Sequence, residues 1–469
     1  MQWLEFIVSQ GNKYLWSYIL IYMLIGLGIF FTIQSKFVQI RYFGEMFRLI
    51  AERDQTKGIS SLQAFFVSAA SRVGTGNLAG VALAIALGGP GAVFWMWVIA
   101  MIGMASSFVE STLAQVYKVK DGDSFRGGPA YYMEKALNAR WLGIIFAVLI
   151  TLCFGLIFNS VQANTIAAAF EEAFSINQTV MAIILAVLTA MIIFGGINRI
   201  AKVTQIIVPV MASIYIVVAL VVVMMNIAEL PGIIALIIKS AFGLEEVVGG
   251  SMGAALLYGL KRGLFSNEAG MGSVPNAAAT ANVSHPAKQG FIQSLGVFFD
   301  TIIICTATAF IILLFDVTPD KELSGIQLTQ AALSSHIGNW ATVFVAIAIF
   351  LFAFSSIIGN YYYGETNIEF IRENKTWLVI YRIAVVAMVV FGSLSGIQIV
   401  WDLADLFMGL MAVINLVVIT LLSKVAMNVL KDYVTQRKQG KDPVFLVSKI
   451  KGLTNAEAWS EEHKKRETA

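Results

Sequence analysis

The sequence predicts an all-α polytopic membrane protein of eleven transmembrane helices, in which one N-terminal helix precedes a 5+5 inverted repeat with two broken helices. Three observations carry this prediction. Of 469 residues, 58% are hydrophobic and only 13% are charged, and the mean hydropathy is +0.77, whereas an ordinary soluble domain has about 25% charged residues. A helix crossing a ~30 Å hydrocarbon core takes roughly 20 apolar residues, so the chain has room for about ten to twelve spans and for no separate soluble domain. Finally, two apolar runs five spans apart are interrupted by glycine and polar residues at matching depth.

The same composition excludes a soluble enzyme, a disordered chain and a collagen-like chain. A net charge of +3 with no basic surface argues against nucleic acid as a partner. Cys153 and Cys305 lie inside apolar runs and read as small buried hydrophobes. His285, His336 and His463 are far apart and lack metal-ligand spacing. The first apolar run, from Tyr14 to Gln34, is too long for a signal-peptide core and has no small-residue cleavage motif after it, so it is expected to be a retained span.

Hydropathy places spans near 14–34, 64–88, 91–117, 141–163, 179–195, 203–225, 240–260, 290–316, 339–363, 377–395 and 399–424. Basic residues collect on the cytoplasmic side of membrane proteins. With the N-terminus outside, 27 of the 32 Lys and Arg fall inside, including Lys261 and Arg262. Only Lys13, Lys239 and Lys321 fall outside, and Arg72 and Arg382 lie in or near spans. The expected topology is therefore N-out, C-in, in the cell membrane. Residues 38–53 alternate apolar and charged positions at helical spacing, as a helix lying in the interface does. The chain divides into 1–63, holding the first helix and this interfacial segment; 64–225 and 226–424, the two repeats; and 425–469, a Lys-rich cytoplasmic tail positioned to touch anionic headgroups.

Glycine clusters in spans free backbone groups that cost several kcal/mol in lipid unless something satisfies them. Span 2 contains SRVGTGNLAG, with Gly74, Thr75, Gly76 and Asn77 at mid-depth. Span 7 contains VGGSMGAA, with Gly249, Gly250, Ser251 and Gly253 at corresponding depth. An offset of five spans makes the two run in opposite directions, and paired Gly-interrupted segments of this kind point to the binding site of a secondary transporter. Amides at the half-helix starts suit a carboxylate, and freed carbonyls suit a cation. A competing position for the second break is SNEAGMGSVPN, Ser266 to Asn276. The charge rule disfavours it, because it pushes Lys261 and Arg262 toward the outer face.

Two stretches, GGPGAVFWMWVIAMIG from Gly88 and FSNEAGMGSVPNAAATA from Phe265, resemble the alanine or glycine:cation symporter family, and the resemblance covers essentially the whole chain. It implies a leucine-transporter-like fold and a symporter that imports a small neutral amino acid, alanine or glycine, with sodium as the coupling ion. A sodium- or proton-coupled glutamine symporter is the alternative within the family. An ion channel is the alternative from another class, and no enzyme activity is implied. The lipid bilayer is the remaining partner, around a monomeric transport unit.

By the same resemblance, Thr75 and Gly76 receive the substrate carboxylate, and Gly250, Ser251 and Gly253 close the pocket from the other side. Asn77 resembles a sodium-ligating asparagine. Ser355 and Ser356 resemble the hydroxyl pair of a second sodium site completed by the carbonyls of Ala70 and Val73. Oxygen ligands of this type suit a hard cation. Trp401 matches a tryptophan expected near the start of the last helix, and Phe154 and Phe158 are further candidates for the pocket wall.

Charges inside spans are functional candidates. Asp300 in GVFFDTIIICT lies near the midplane and is expected to attract the substrate ammonium, directly or through the cation. Arg72 and Glu110 lie at similar depth and are expected to pair, which leaves Asp300 free. Asp402 and Asp405 are candidates for an external gate, and no arginine follows the first break to serve it.

Overall fold

The computed structural model describes residues 2–52, 58–122, 124–194, 196–244, 251–315 and 325–459. Gly249 and Gly250 therefore lie outside the described residues. The elements are almost all helical. Helix α1 spans Glu5–Gln34, and α2, Phe43–Ala51, is the short helix expected after it. The first broken helix comprises α3, Ser61–Arg72, and α4, Gly76–Gly88, bent by 48°. Ser60 starts α3 with a reciprocal cap, since its hydroxyl accepts from the Gln63 amide while the Gln63 side chain accepts from the Ser60 amide.

Next come α5, Gly91–Val116, and an antiparallel hairpin of β1, Val119–Asp121, with β2, Ser124–Arg126. Then follow α6, Pro129–Leu137, α7, Arg140–Phe174, α8, Gln178–Ile193, α9, Ile200–Met225, and α10, Leu230–Ala241. A second broken helix is made of α11, Met252–Asn267, and α12, Val274–Thr280. The chain continues through α13, Pro286–Leu313, α14, Ile326–Ile337, α15, Trp340–Ile371, α16, Lys375–Leu394, and α17, Gln398–Lys438.

Among the described residues, eight continuous helices are long and apolar enough to cross a membrane, and the bent α3–α4 pair makes a ninth. The expected fifth span is the shorter α8. The expected seventh span requires correction. Residues 240–260 do not form one helix: α10 ends at Ala241, and α11 begins only at Met252. The break is the rejected alternative, Ser266–Asn276, and every residue of that stretch is buried. Ser251 and Gly253 stand at the exposed start of α11, where the Ser251 hydroxyl caps the helix by accepting from the Ala254 amide.

The charge rule failed here for a physical reason. Lys261 and Arg262 are not solvated loop cations but helix residues paired with Asp405 at 3.2 and 2.5 Å, so their placement was not set by the interface.

Packing sorts the helices into two groups. Helix α5 packs most extensively against α13 and α11, while α7 packs against α15 and α16. Helices α3 and α9 contact each other, and both contact α15.

Beyond α17, the chain folds back onto the protein. The Phe445 amide donates to the Ser284 carbonyl, and the Trp459 indole donates to the Gln115 carbonyl at 2.8 Å. The Lys118 ammonium sits 4.7 Å from the Trp459 ring. His285, just before α13, contacts Asp432 at 3.3 Å and the rings of Tyr433 and Phe445.

Candidate functional site at the two helix breaks

At the first break, Val73 turns extended (φ −78°, ψ 91°) and ends α3. The Gly74 amide, which would have continued the helix to Ala70, donates instead to Asn77 Oδ1 at 2.9 Å. The Ala70 and Val73 carbonyls are thereby freed, and the Ser356 hydroxyl lies 2.8 and 3.4 Å from them. This brings together three of the four members of the expected second cation site. The fourth, Ser355, is buried beside them in the chain, but its hydroxyl donates within its own helix to Phe352. Helix α15 can approach this closely because position 74 is glycine: a Cβ there would lie 2.2 Å from Ser356 Oγ. Gly76 does the same for α11, where a Cβ would meet Ser266 Cα at 3.0 Å.

At the second break, Glu268 takes a left-handed backbone (φ 58°), and Gly270 and Gly272 follow at φ 81° and 86°, a conformation that glycine adopts without steric cost. The exposed amides of both glycines donate to the Glu110 carboxylate at 3.0 and 3.1 Å. Asn415 donates to the same carboxylate at 2.8 Å. Glu110 is thus an acceptor for a broken backbone. The expected Arg72–Glu110 ion pair is absent among the described residues, as is an Arg72–Asp300 pair. Arg72 donates instead to the Gln293 carbonyl at 3.3 Å. Two backbone amides and an asparagine already occupy the carboxylate.

The two breaks meet at Asn77. Its amide nitrogen lies 3.0 Å from Ser266 Oγ and 2.8 Å from Asp300 Oδ1. Ser266 and Thr301 donate to Asp300 Oδ2 at 2.7 and 2.9 Å. A lone buried carboxylate is costly, and three donors offset that cost. The breaks are joined a second time by Glu268, which accepts from Ser71 at 2.7 Å and from Ser273 at 2.5 Å.

Three π-helical turns converge here, namely Gly76–Gly80, Thr151–Phe158 and Phe298–Cys305. Such turns gather at functional sites because the extra residue re-aims neighbouring side chains. They carry Asn77, the pair Phe154 and Phe158, and Asp300.

Aromatic rings cover the site. Phe154 lies 4.5 Å from Phe158, Phe158 lies 4.5 Å from Phe265, and Phe265 lies 4.7 Å from Trp401. The Arg262 guanidinium rests 4.5 Å from the Trp401 ring and binds both oxygens of the buried Asp405 at 2.5 Å. The basic partner missing after the first break is therefore supplied by α11. Beyond this pair opens a cavity of about 320 Å³ lined by Asn12, Trp16, Lys261 and Asp402. Thr75 Oγ1 at the first break and Trp401 Nε1 in the aromatic cover are buried without a partner among the described residues.

The structure thus gathers Ala70, Val73, Thr75, Gly76, Asn77, Asp300, Ser356 and Trp401, and leaves Ser251 and Gly253 outside the site, at the opposite end of α11 from Ser266. Sequence reasoning missed Gln162, which accepts from the Thr75 amide at 3.0 Å, and the roles of Ser266, Glu268 and Arg262. For the last three, the polar and glycine run after Phe265 was the available signal. Gln162 had none.

Residues 1–447 match the sodium:alanine symporter family. Amino-acid carrier protein AlsT of Bacillus subtilis is 68% identical over 457 residues, covering 97% of this chain and 98% of its own. The probable sodium/glutamine symporter GlnT of the same organism is 58% identical, covering 100% and 98%. The sodium/alanine symporter AgcS of Methanococcus maripaludis is 38% identical, covering 92% and 98%. Among solved structures, MhsT in complex with L-phenylalanine aligns with a TM-score of 0.53 at 14% identity, over 87% of this chain and 93% of its own. A manganese transporter of Eremococcus coleocola aligns at 0.51 with 15% identity, over 82% of each chain. At that identity the likeness is one of fold, and it agrees with the inverted-repeat architecture with broken helices expected from the sequence. The chain belongs to the sodium:alanine symporter family.

Proposed function

We propose that the protein imports a small neutral amino acid, alanine or glycine, together with sodium by alternating access. The observation that carries this reading is the junction of both helix breaks at Asn77, Ser266 and Asp300, beside freed carbonyls at Ala70 and Val73. One sodium ion is held by the Ala70 and Val73 carbonyls with Ser356, and Ser355 adjoins it. A second lies against Asn77, where Asp300 balances its charge and, through it, the substrate ammonium. The substrate carboxylate meets the first break at Thr75 and Gly76, beneath Trp401.

Sodium at the first position adds a further link between α15 and α3, beside the contacts of Ser356 with the Ala70 carbonyl and of Ser71 with Asn360. Bound cation therefore favours the geometry that receives substrate, and moving one charge through 100 mV supplies about 2.3 kcal/mol for the cycle. Arg262 with Asp405 and Trp401 forms the gate on one side. Even with Lys261 and Arg262 withdrawn from the tally, the basic residues stay on the face opposite the N-terminus, which supports N-out, C-in in the cell membrane.

The test is uptake of labelled alanine into proteoliposomes with sodium replaced by choline. Uptake that stops without sodium supports the proposal. Uptake that persists and follows a pH gradient instead transfers the coupling to protons. Glutamine is the second reading, favoured by the 58% identity to GlnT, and a competition screen against labelled alanine separates the two. Large unitary currents in planar bilayers would indicate a channel.

A further inference from the structure

Where α1 ends, the chain turns sharply. Lys36 and Phe37 both adopt left-handed backbone (φ 55° and 60°), and the segment then runs past Arg41 into α2. Across from this turn lies the part of α17 that extends beyond its apolar stretch, up to Lys438. Between them is a cavity of about 340 Å³, lined by Ser35, Lys36, Arg41, Asn428, Lys431 and Lys438 among others. Its size falls in the range of about 300–1,000 Å³ usual for small-ligand sites.

Its charge is one-sided. Four cations line it and no carboxylate does. None of the four is in an ion pair among the described residues. Glu45 on α2 does not serve them, since it is held by Arg48 at 2.8 Å and Arg437 at 3.1 Å. Four like charges around one cavity repel one another unless an anion enters. The two polar side chains named, Ser35 and Asn428, add hydrogen-bonding capacity between the cations.

The surroundings identify the anion. Ile33, Phe37 and Ile40, on the same turn, are 61%, 49% and 62% exposed, so the cationic cavity opens beside apolar side chains at the end of a membrane helix. A free anion in water has no use for such a rim, whereas an acyl chain does.

We propose that this cavity binds the phosphate of an anionic phospholipid, with the acyl chains running along the exposed face of α1 below the turn. The bound lipid clamps the end of α1 to the extension of α17.

Native mass spectrometry of the full-length protein in detergent, with equal amounts of phosphatidylglycerol and phosphatidylcholine, tests this. Phosphatidylglycerol should be retained in preference, and Arg41→Gln with Lys431→Gln should weaken its retention by about fivefold for each cation removed. A charge-matched variant away from the cavity, Lys202→Gln with Arg372→Gln, should bind as the unaltered protein does. A parallel thermal-unfolding series compares phosphatidylglycerol with excess inorganic phosphate, and only the lipid should raise the midpoint. Equal retention of the two lipids by the unaltered protein would overturn the proposal, whatever the variants do. So would equal losses in the two variants, or stabilisation by inorganic phosphate as large as that by the lipid.

Discussion

Replacing Gly74 with alanine tests the proposed cation site without substituting any of its ligands. The new Cβ would stand 2.2 Å from Ser356 Oγ and 3.0 Å from Gln162 Oε1. Ordinary contact begins near 3.4 Å, so the hydroxyl must retreat by about 1 Å. It cannot do so and keep its place between the Ala70 and Val73 carbonyls, which it now meets at 2.8 and 3.4 Å. The variant therefore loses one oxygen ligand to sodium. A hydrogen bond or ligand contact to a charged group is worth about 1.5–3 kcal/mol, so the sodium concentration for half-maximal uptake should rise about 10- to 100-fold. Ser356→Ala removes the same ligand directly and should give a similar rise. The two changes together should cost no more than either alone, because they abolish one shared contact. The assay is alanine uptake in proteoliposomes across a sodium series. An unchanged sodium dependence in Gly74→Ala, or strictly additive effects in the double variant, would refute the assignment.

Other consequences are equally direct. Asp405→Asn leaves Arg262 buried without its partner, a loss of about 3–5 kcal/mol, so thermal unfolding of the purified protein should begin well below that of Asp402→Asn, whose side chain accepts from Gln398 and, among the described residues, is in no ion pair. Glu110→Gln exchanges one acceptor oxygen for a donor and strands the Gly270 or Gly272 amide, which costs about 1–3 kcal/mol; the midpoint should fall, and alanine uptake with it. Burial holds the His285 imidazole below its ordinary value against the opposing pull of Asp432. The folded state therefore binds fewer protons than the unfolded one, and stability should decline as pH falls below about 6.5, a slope that His285→Gln should flatten when midpoints are measured across that range.

Much of the fold was legible because lipid imposes simple rules on sequence. Spans such as 91–117 and 377–395 agree with α5 and α16 to within a few residues, since each is one uninterrupted apolar run. The first break was legible for the opposite reason: VGTGN has no other use at mid-depth, and Asn77 indeed caps the freed Gly74 amide. The second break was misplaced because two glycine-rich stretches competed and the positive-charge rule chose between them. That rule treats Lys and Arg as interfacial anchors and cannot see that Asp405, more than 140 residues away, neutralises Arg262 inside the protein. The supposed Arg72–Glu110 pair failed in a related way. Depth along a helix is readable from sequence, but the competition of backbone amides for a carboxylate is not.

The segment that returns after α17 closes over the end of α5, the end of α12 and the start of α13 through Trp459, Phe445 and their partners. The family match stops at residue 447, before Trp459. A truncation at that seemingly natural border would therefore remove the indole from the Gln115 carbonyl and uncover Lys118. Phe445 lies inside the matched stretch and Trp459 outside it, so the returning segment straddles that border: a chain cut there keeps the Phe445–Ser284 strap but loses the indole that closes over the end of α5.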